Sequence, residues 1–149
     1  MAIERSVVAV PARLQSSRLP NKVLADIGGK PMIQRVLERC QEAQGPCVVV
    51  LCTDSLKLQE LAQTWGFPVL ITAESCSSGS ERIASVADAL VALAWEEDPS
   101  HWDPSLRSKR LSQTAVINVQ GDQPFLDPLI LTKVVCEFQQ RASAPAVVT

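Results

Sequence analysis

The stretch Val7-Val8-Ala9-Val10-Pro11-Ala12-Arg13-Leu14-Gln15-Ser16-Ser17-Arg18-Leu19-Pro20-Asn21-Lys22 decides how the chain is read. It opens as an apolar run short enough for a buried strand and breaks at Pro11 into a polar, basic loop. No Asp or Glu lies between Arg5 and Ala25, whereas Arg5, Arg13, Arg18 and Lys22 are cationic and Ser16 and Ser17 add adjacent hydroxyls. A strand that empties into such a loop is equipped to receive an anion, because Arg and Lys supply charge-assisted donors. A solvated basic loop is the alternative. The one-sided charge within an acidic chain favours the anion site.

Working outward, Asp26-Ile27-Gly28-Gly29-Lys30 is a turn signal and Pro31 suits a first helical position. Met32, Ile33, Val36, Leu37 and Cys40 form a helical stripe that Gly45-Pro46 ends. Residues 47–52 are continuously apolar, as parallel strands buried on both faces are. Thr53-Asp54-Ser55 caps a helix running through Leu58, Ala62 and Trp65. Residues 67–71 form a shorter strand, near an edge or beginning at Pro68. A loop over 72–80 precedes a helix carrying Ile83, Val86, Ala87, Leu90 and Val91.

Residues 96–113, with Pro99 and Pro104 and no sustained period, read as a surface loop or insertion pinned by Trp102. Residues 115–119 form another buried strand ending in Gln120-Gly121-Asp122-Gln123-Pro124. A helix through Leu129, Ile130, Val134 and Phe138 follows, and residues 146–149 begin a fresh apolar stretch. Such alternation predicts a single α/β domain over 1–149, a Rossmann-like, mostly parallel sheet with helices on both faces. Binding sites in these sheets lie at the carboxyl ends of the strands. Residues 11–22, 53–54, 77–82 and 120–122 are expected to converge there.

Composition bounds the function. The 149 residues are 46% apolar and 20% charged, with a net charge of -2. The chain therefore has no global basic field, and generic nucleic-acid binding is unsupported. The five cysteines are odd in number and contain no C-x-x-C pair, which fits reduced thiols better than disulfides or zinc. His101 is the lone histidine and cannot build a histidine metal cluster. No signal-peptide core and no membrane-length apolar run is present, so a soluble, cytoplasmic protein is expected.

Three clusters carry candidate chemistry. Arg13, Ser16, Ser17, Arg18 and Lys22 supply the cations and donors that nucleotidyl transfer needs around phosphate oxygens. This is neither a Walker loop nor the dinucleotide glycine fingerprint. Asp122, behind Gly121, is a plausible ligand for Mg²⁺, which takes one or two protein carboxylates and completes its shell with water and phosphate. A turn Asp capping the next helix is an equal alternative. Ser77-Ser78-Gly79-Ser80-Glu81-Arg82 reads as a helix cap, with Arg82 adding a contact to base or ribose.

With these residues quoted, the chain resembles a family. Pro-Ala-Arg-x-x-Ser-x-Arg-Leu-Pro-x-Lys over 11–22 is similar to the CTP-binding signature of the 3-deoxy-manno-octulosonate (Kdo) cytidylyltransferases, the CMP-Kdo synthetases. Gly29 to Ile33, Val36 to Arg39, Thr53-Asp54, Ser78 to Arg82 and Asn118 to Pro124 look like the same proteins, in order through nearly the whole chain. Hexose-1-phosphate enzymes of the wider fold usually carry a glycine-rich loop instead, and sialic acid cytidylyltransferases lack the Arg-Leu-Pro run.

The resemblance implies that CTP and Kdo give CMP-Kdo and pyrophosphate, for lipopolysaccharide. The anomeric hydroxyl would attack the α-phosphate in line, assisted by Mg²⁺. By motif position, Pro11, Ala12, Arg13, Ser16, Ser17, Arg18 and Lys22 would bind CTP, with Ser80 and Arg82 serving cytidine recognition and Gln120 beside the nucleotide. Arg13, Lys22 and Asp122 would be catalytic, and Asp122 the metal ligand. Gln123 stands where the family usually has Glu, and Ser80 replaces a Thr. Residues 96–113 are longer than the family pattern.

Family members also continue well past residue 149, into a part that normally brings the Kdo pocket, a second metal-binding carboxylate and most of a homodimer interface. The chain thus reads as truncated. An inactive CTP-binding remnant, or a half-enzyme needing a separate carboxyl-terminal partner, stands as the alternative.

Overall fold

The structure, a computed structural model, describes residues 3–14, 21–46 and 48–140, together with the backbone of 147–148. Strand β1 (Arg5–Ala12) is its centre, and Val7 to Val10 have no solvent exposure. It pairs in parallel with β4 (Val48–Thr53) on one side and β6 (Thr114–Asn118) on the other. Strand β5 (Val69–Ile71) extends the sheet beyond β4, and β7 (Val147–Val148) extends it beyond β6. The order is β5-β4-β1-β6-β7, with every pairing parallel.

Alternation along β1 divides the core. Val8, Val10 and Ala12 pack with Ile33, Val36 and Leu37 of α1 (Met32–Glu42), Leu58 and Ala62 of α2 (Leu56–Thr64), and Leu131 and Val135 of α6 (Pro128–Gln140). Val7 and Ala9 face the other way. They pack with Ile83 of α3 (Gly79–Ser85) and Leu90 and Ala94 of α4 (Ala87–Trp95). Both faces of the sheet are covered, which is why Val7 to Val10 of β1 and Val48 to Cys52 of β4 read as unbroken hydrophobic runs. The fold is the expected Rossmann-like parallel sheet with helices on both faces.

Local signals act where they stand in the sequence. Ser55 caps α2, its hydroxyl accepting from the Leu58 N–H at 3.2 Å. Pro68 directly precedes β5, and β5 lies at the sheet edge. Pro31 sits one residue outside α1, where it closes a two-residue hairpin of β2 (Asp26–Ile27) against β3 (Lys30–Pro31). The helix expected to run from Ile83 through Val91 is broken at Val86 (φ -122, ψ 24) into α3 and α4.

Of the surface loop or insertion expected over 96–113, the loop is corrected. A 3-10 turn (Pro99–His101) and helix α5 (Pro104–Ser112) occupy it, started by Asp98 and Asp103 side chains that accept from Ser100 and Leu106 N–H. No residue of α5 is buried, so it shows no apolar stripe. Polar bonds tie it down instead: Arg107 pairs with Asp88 of α4 at 2.8 Å and Arg110 with Glu97 at 2.6 Å. Trp102, expected to pin the segment, has its indole Nε1 buried, and a second anchor at the junction is Trp95. Its Nε1–H donates to Thr114 Oγ1 at 2.7 Å, and Arg110 and Arg5 lie over its ring, 4.1 and 4.8 Å from the centroid.

Candidate active site

From β1 the chain moves to β4 and β5 on one side, then returns to build β6 and β7 on the other. The strand order therefore reverses between β1 and β6. A crevice opens at this switch point, the place where such sheets bind ligands. Pro11, Ala12 and Arg13 enter it from β1, and Gln120, Gly121 and Asp122 from the end of β6. Ser77, Ser78, Gly79 and Arg82 wall it from α3, and Lys22 and Val23 from the segment that follows the basic loop. The cavity measures about 260 Å³.

Two glycines let these segments meet. A Cβ on Gly121 would lie 3.2 Å from both the Pro11 carbonyl oxygen and Ile33 Cδ1. One on Gly79 would lie 2.9 Å from Pro11 Cγ. The start of α3 and the β6 turn can both close on the end of β1 because neither carries a side chain there. Ser78 caps α3, its hydroxyl accepting from the Glu81 N–H at 3.0 Å, while the Glu81 carboxylate accepts from the Ser77 N–H at 2.8 Å. The Ser77 bonds hold the Glu81 carboxyl below its ordinary range.

The basic loop is closed at its base. The Asn21 N–H donates to the Leu14 carbonyl at 2.8 Å, and Asn21 takes a left-handed turn (φ 58). Lys22 emerges beside the β6 turn, and its Nζ lies 3.2 Å from Asp122 Oδ2. Both side chains are about half exposed, 44% and 49%. Ser16, Ser17 and Arg18 lie outside the described residues.

Arg82 behaves differently. It is 3% exposed and donates to Thr72 Oγ1 and the Ala73 carbonyl, with Nη2 3.9 Å from Asp54 Oδ2. Burying a guanidinium this deeply is costly unless its donors are satisfied, as these are. It thus brings a fixed positive charge to the cavity wall. Ser80 sits exposed in the first turn of α3 and is not among the lining residues, whereas Ser77 and Ser78 are. Their capping signature marked the helix start in the sequence, but no local rule says which hydroxyl faces a cavity. Cys76, buried in the same wall, has no sequence signal at all.

Among the described residues the lining charges are Arg13, Lys22 and Arg82 against one carboxylate, Asp122. Among the described residues no group of three or more His, Cys, Asp or Glu could hold a metal alone. The half-exposed Asp122 carboxylate at a cation-lined cavity fits a different arrangement. There the protein gives one oxygen ligand to a hydrated Mg²⁺ and a bound polyphosphate gives others. Chemically the site can accept a polyanion and fix its orientation against Pro11, Gly79 and Gly121.

Comparison with known proteins gives the same direction. Residues 7–147 match the family model described as cytidylyltransferase. A 3-deoxy-manno-octulosonate cytidylyltransferase of Idiomarina loihiensis is 42% identical over 138 residues, 93% of this chain and 47% of that protein. A solved CMP:2-keto-3-deoxy-manno-octonic acid synthetase complexed with CTP superposes with a TM-score of 0.70 at 30% identity, covering 90% of this chain and 47% of that one. A cytidylyltransferase structure from Leptospira borgpetersenii (TM-score 0.67, 22% identity, 93% and 50% covered) shares the fold. The chain spans about half the length of the relatives it matches. From the match over residues 7–147, and from a parallel sheet whose switch point carries the cavity, the chain belongs to the cytidylyltransferase family.

Proposed function

We propose that this chain forms the CTP site of a cytidylyltransferase that activates Kdo, giving CMP-Kdo and pyrophosphate. The observation that carries the reading is the meeting of Arg13, Lys22, Gly79, Arg82, Gln120 and Asp122 in one cavity at the switch point. Lys22 and Arg13 would neutralise charge on the triphosphate, and the fixed Arg82 charge would lie against the nucleoside. Ser16, Ser17 and Arg18 would add donors from the loop. When bound, Mg²⁺ supplies positive charge to the phosphate oxygens, and Asp122 would hold it. The acceptor hydroxyl of the sugar acid would displace pyrophosphate at the α-phosphate.

Titration calorimetry with CTP and MgCl₂ tests the nucleotide half: saturable binding is expected, and no heat at millimolar CTP overturns it. Release of pyrophosphate on adding Kdo tests the reaction. The residues gathered in the cavity come from the CTP-binding motifs, so a second reading is that this chain binds CTP without itself turning over the sugar acid. CTP binding without pyrophosphate release selects that reading. For either, Asp122→Asn is expected to weaken binding of the magnesium nucleotide and, where turnover occurs, to lower it about 10²- to 10³-fold.

A further inference from the structure

The Lys22–Asp122 pair joins the carboxylate of the cavity wall to one of the cations described there. The two residues stand 100 positions apart, and their 3.2 Å contact is made at the cavity itself. In a site meant for a triphosphate, each group has another partner to prefer: the ammonium a phosphate oxygen, the carboxylate a divalent cation. While the two are paired, one ammonium donor and one carboxylate oxygen are committed to each other. The pair is about half exposed, so it is weak and exchangeable rather than locked.

We propose that Lys22 is a placeholder cation, a positioning residue for the nucleotide. In the ligand-free site its ammonium is held on Asp122, where the metal would sit. As a divalent cation reaches Asp122, Lys22 leaves the carboxylate and is released, on a short tether from Asn21, to the phosphates. The exchange makes binding of cation and triphosphate mutually reinforcing, since each removes the competitor of the other. The inference rests on the CTP reading above for the identity of the anion, but the Lys22–Asp122 competition does not.

Both side chains are solvent-accessible and outside the core, so Lys22→Met and Asp122→Asn are expected to fold, which circular dichroism checks. The first arm uses Mn²⁺ alone on the ligand-free chain, read as paramagnetic broadening of the backbone amide resonances of Gly121 and of position 122. Lys22→Met is expected to tighten Mn²⁺ at this position by about threefold, and Asp122→Asn to abolish that gain. An unchanged Mn²⁺ affinity in Lys22→Met, or a gain that survives Asp122→Asn, overturns the proposal. The second arm measures CTP affinity in EDTA. Asp122→Asn is expected to tighten metal-free CTP more when Lys22 is present than in the Lys22→Met background, by about threefold, and to weaken CTP once Mg²⁺ is added. Equal gains in the two backgrounds overturn the coupling. If CTP binds to none of the variants, the nucleotide reading fails while the Mn²⁺ arm still decides the competition.

Discussion

Arg82 holds a full positive charge at 3% exposure, and its bonds to Thr72 and Ala73 are what make that tenable. Arg82→Met is therefore expected to lose about 1.5–3 kcal/mol of stability, read from the urea midpoint, because Thr72 and Asp54 keep their desolvation without their partner. It should also weaken CTP binding, whereas Lys22→Met, half exposed, should leave the urea midpoint nearly unchanged. Thiols give an independent residue-scale test. Burial pushes Cys40 and Cys52 up to about 12, with Arg82 opposing slightly at Cys52. Their protonated forms persist in the folded chain while unfolded thiols ionise near pH 9. The unfolded state then binds fewer protons, so stability should fall as pH rises from about 9 toward 12. A flat urea midpoint across that window contradicts this. Among the described cysteines, exposed Cys136 should react with a thiol reagent at neutral pH and Cys40 and Cys52 only on unfolding.

Elements differ in what their caps are for. Ser55 and Ser78 make the same bond to the first turn of a helix, and loss of either hydroxyl should cost about 1 kcal/mol of stability. Only α3 begins on the cavity wall, so Ser78→Ala is also expected to lower CTP affinity, while Ser55→Ala leaves it unchanged. Calorimetry on the two variants, matched for thermal stability, separates these effects. Both caps were legible because Ser before an apolar-periodic run is a local signal. Helix α5 was not. Its sequence Pro104-Ser105-Leu106-Arg107-Ser108-Lys109-Arg110-Leu111-Ser112 has no buried residue, and the ion pairs that anchor it reach Asp88 and Glu97 on other segments. The break at Val86 was hidden for the opposite reason, since the apolar spacing runs straight through it.

Across the whole molecule, charge is arranged rather than abundant. A net charge of -2 coexists with three cations on one cavity wall, so attraction for a polyanion is confined to the crevice. CTP affinity should fall as ionic strength is raised from about 0.05 to 0.5 M, while duplex DNA should give no electrophoretic shift at moderate salt. DNA binding, or salt-insensitive CTP binding, argues against a localised field. The sequence alone was enough for the alternation of strands and helices, the two covered faces and the capped helix starts at Ser55 and Ser78. Those depend on which residues neighbour one another along the chain and on a period of two or 3.6. It also marked the segments that meet at the carboxyl edge, because parallel topology sends every strand end the same way. Only the tertiary structure decided that Lys22 faces Asp122, that Arg82 lies beneath the wall on Thr72, and that Ser77 and Ser78 line the cavity while Ser80 does not. These are partnerships between distant residues, set by how α3 and the β6 turn close over Pro11, and packing of that kind leaves no trace in local spacing.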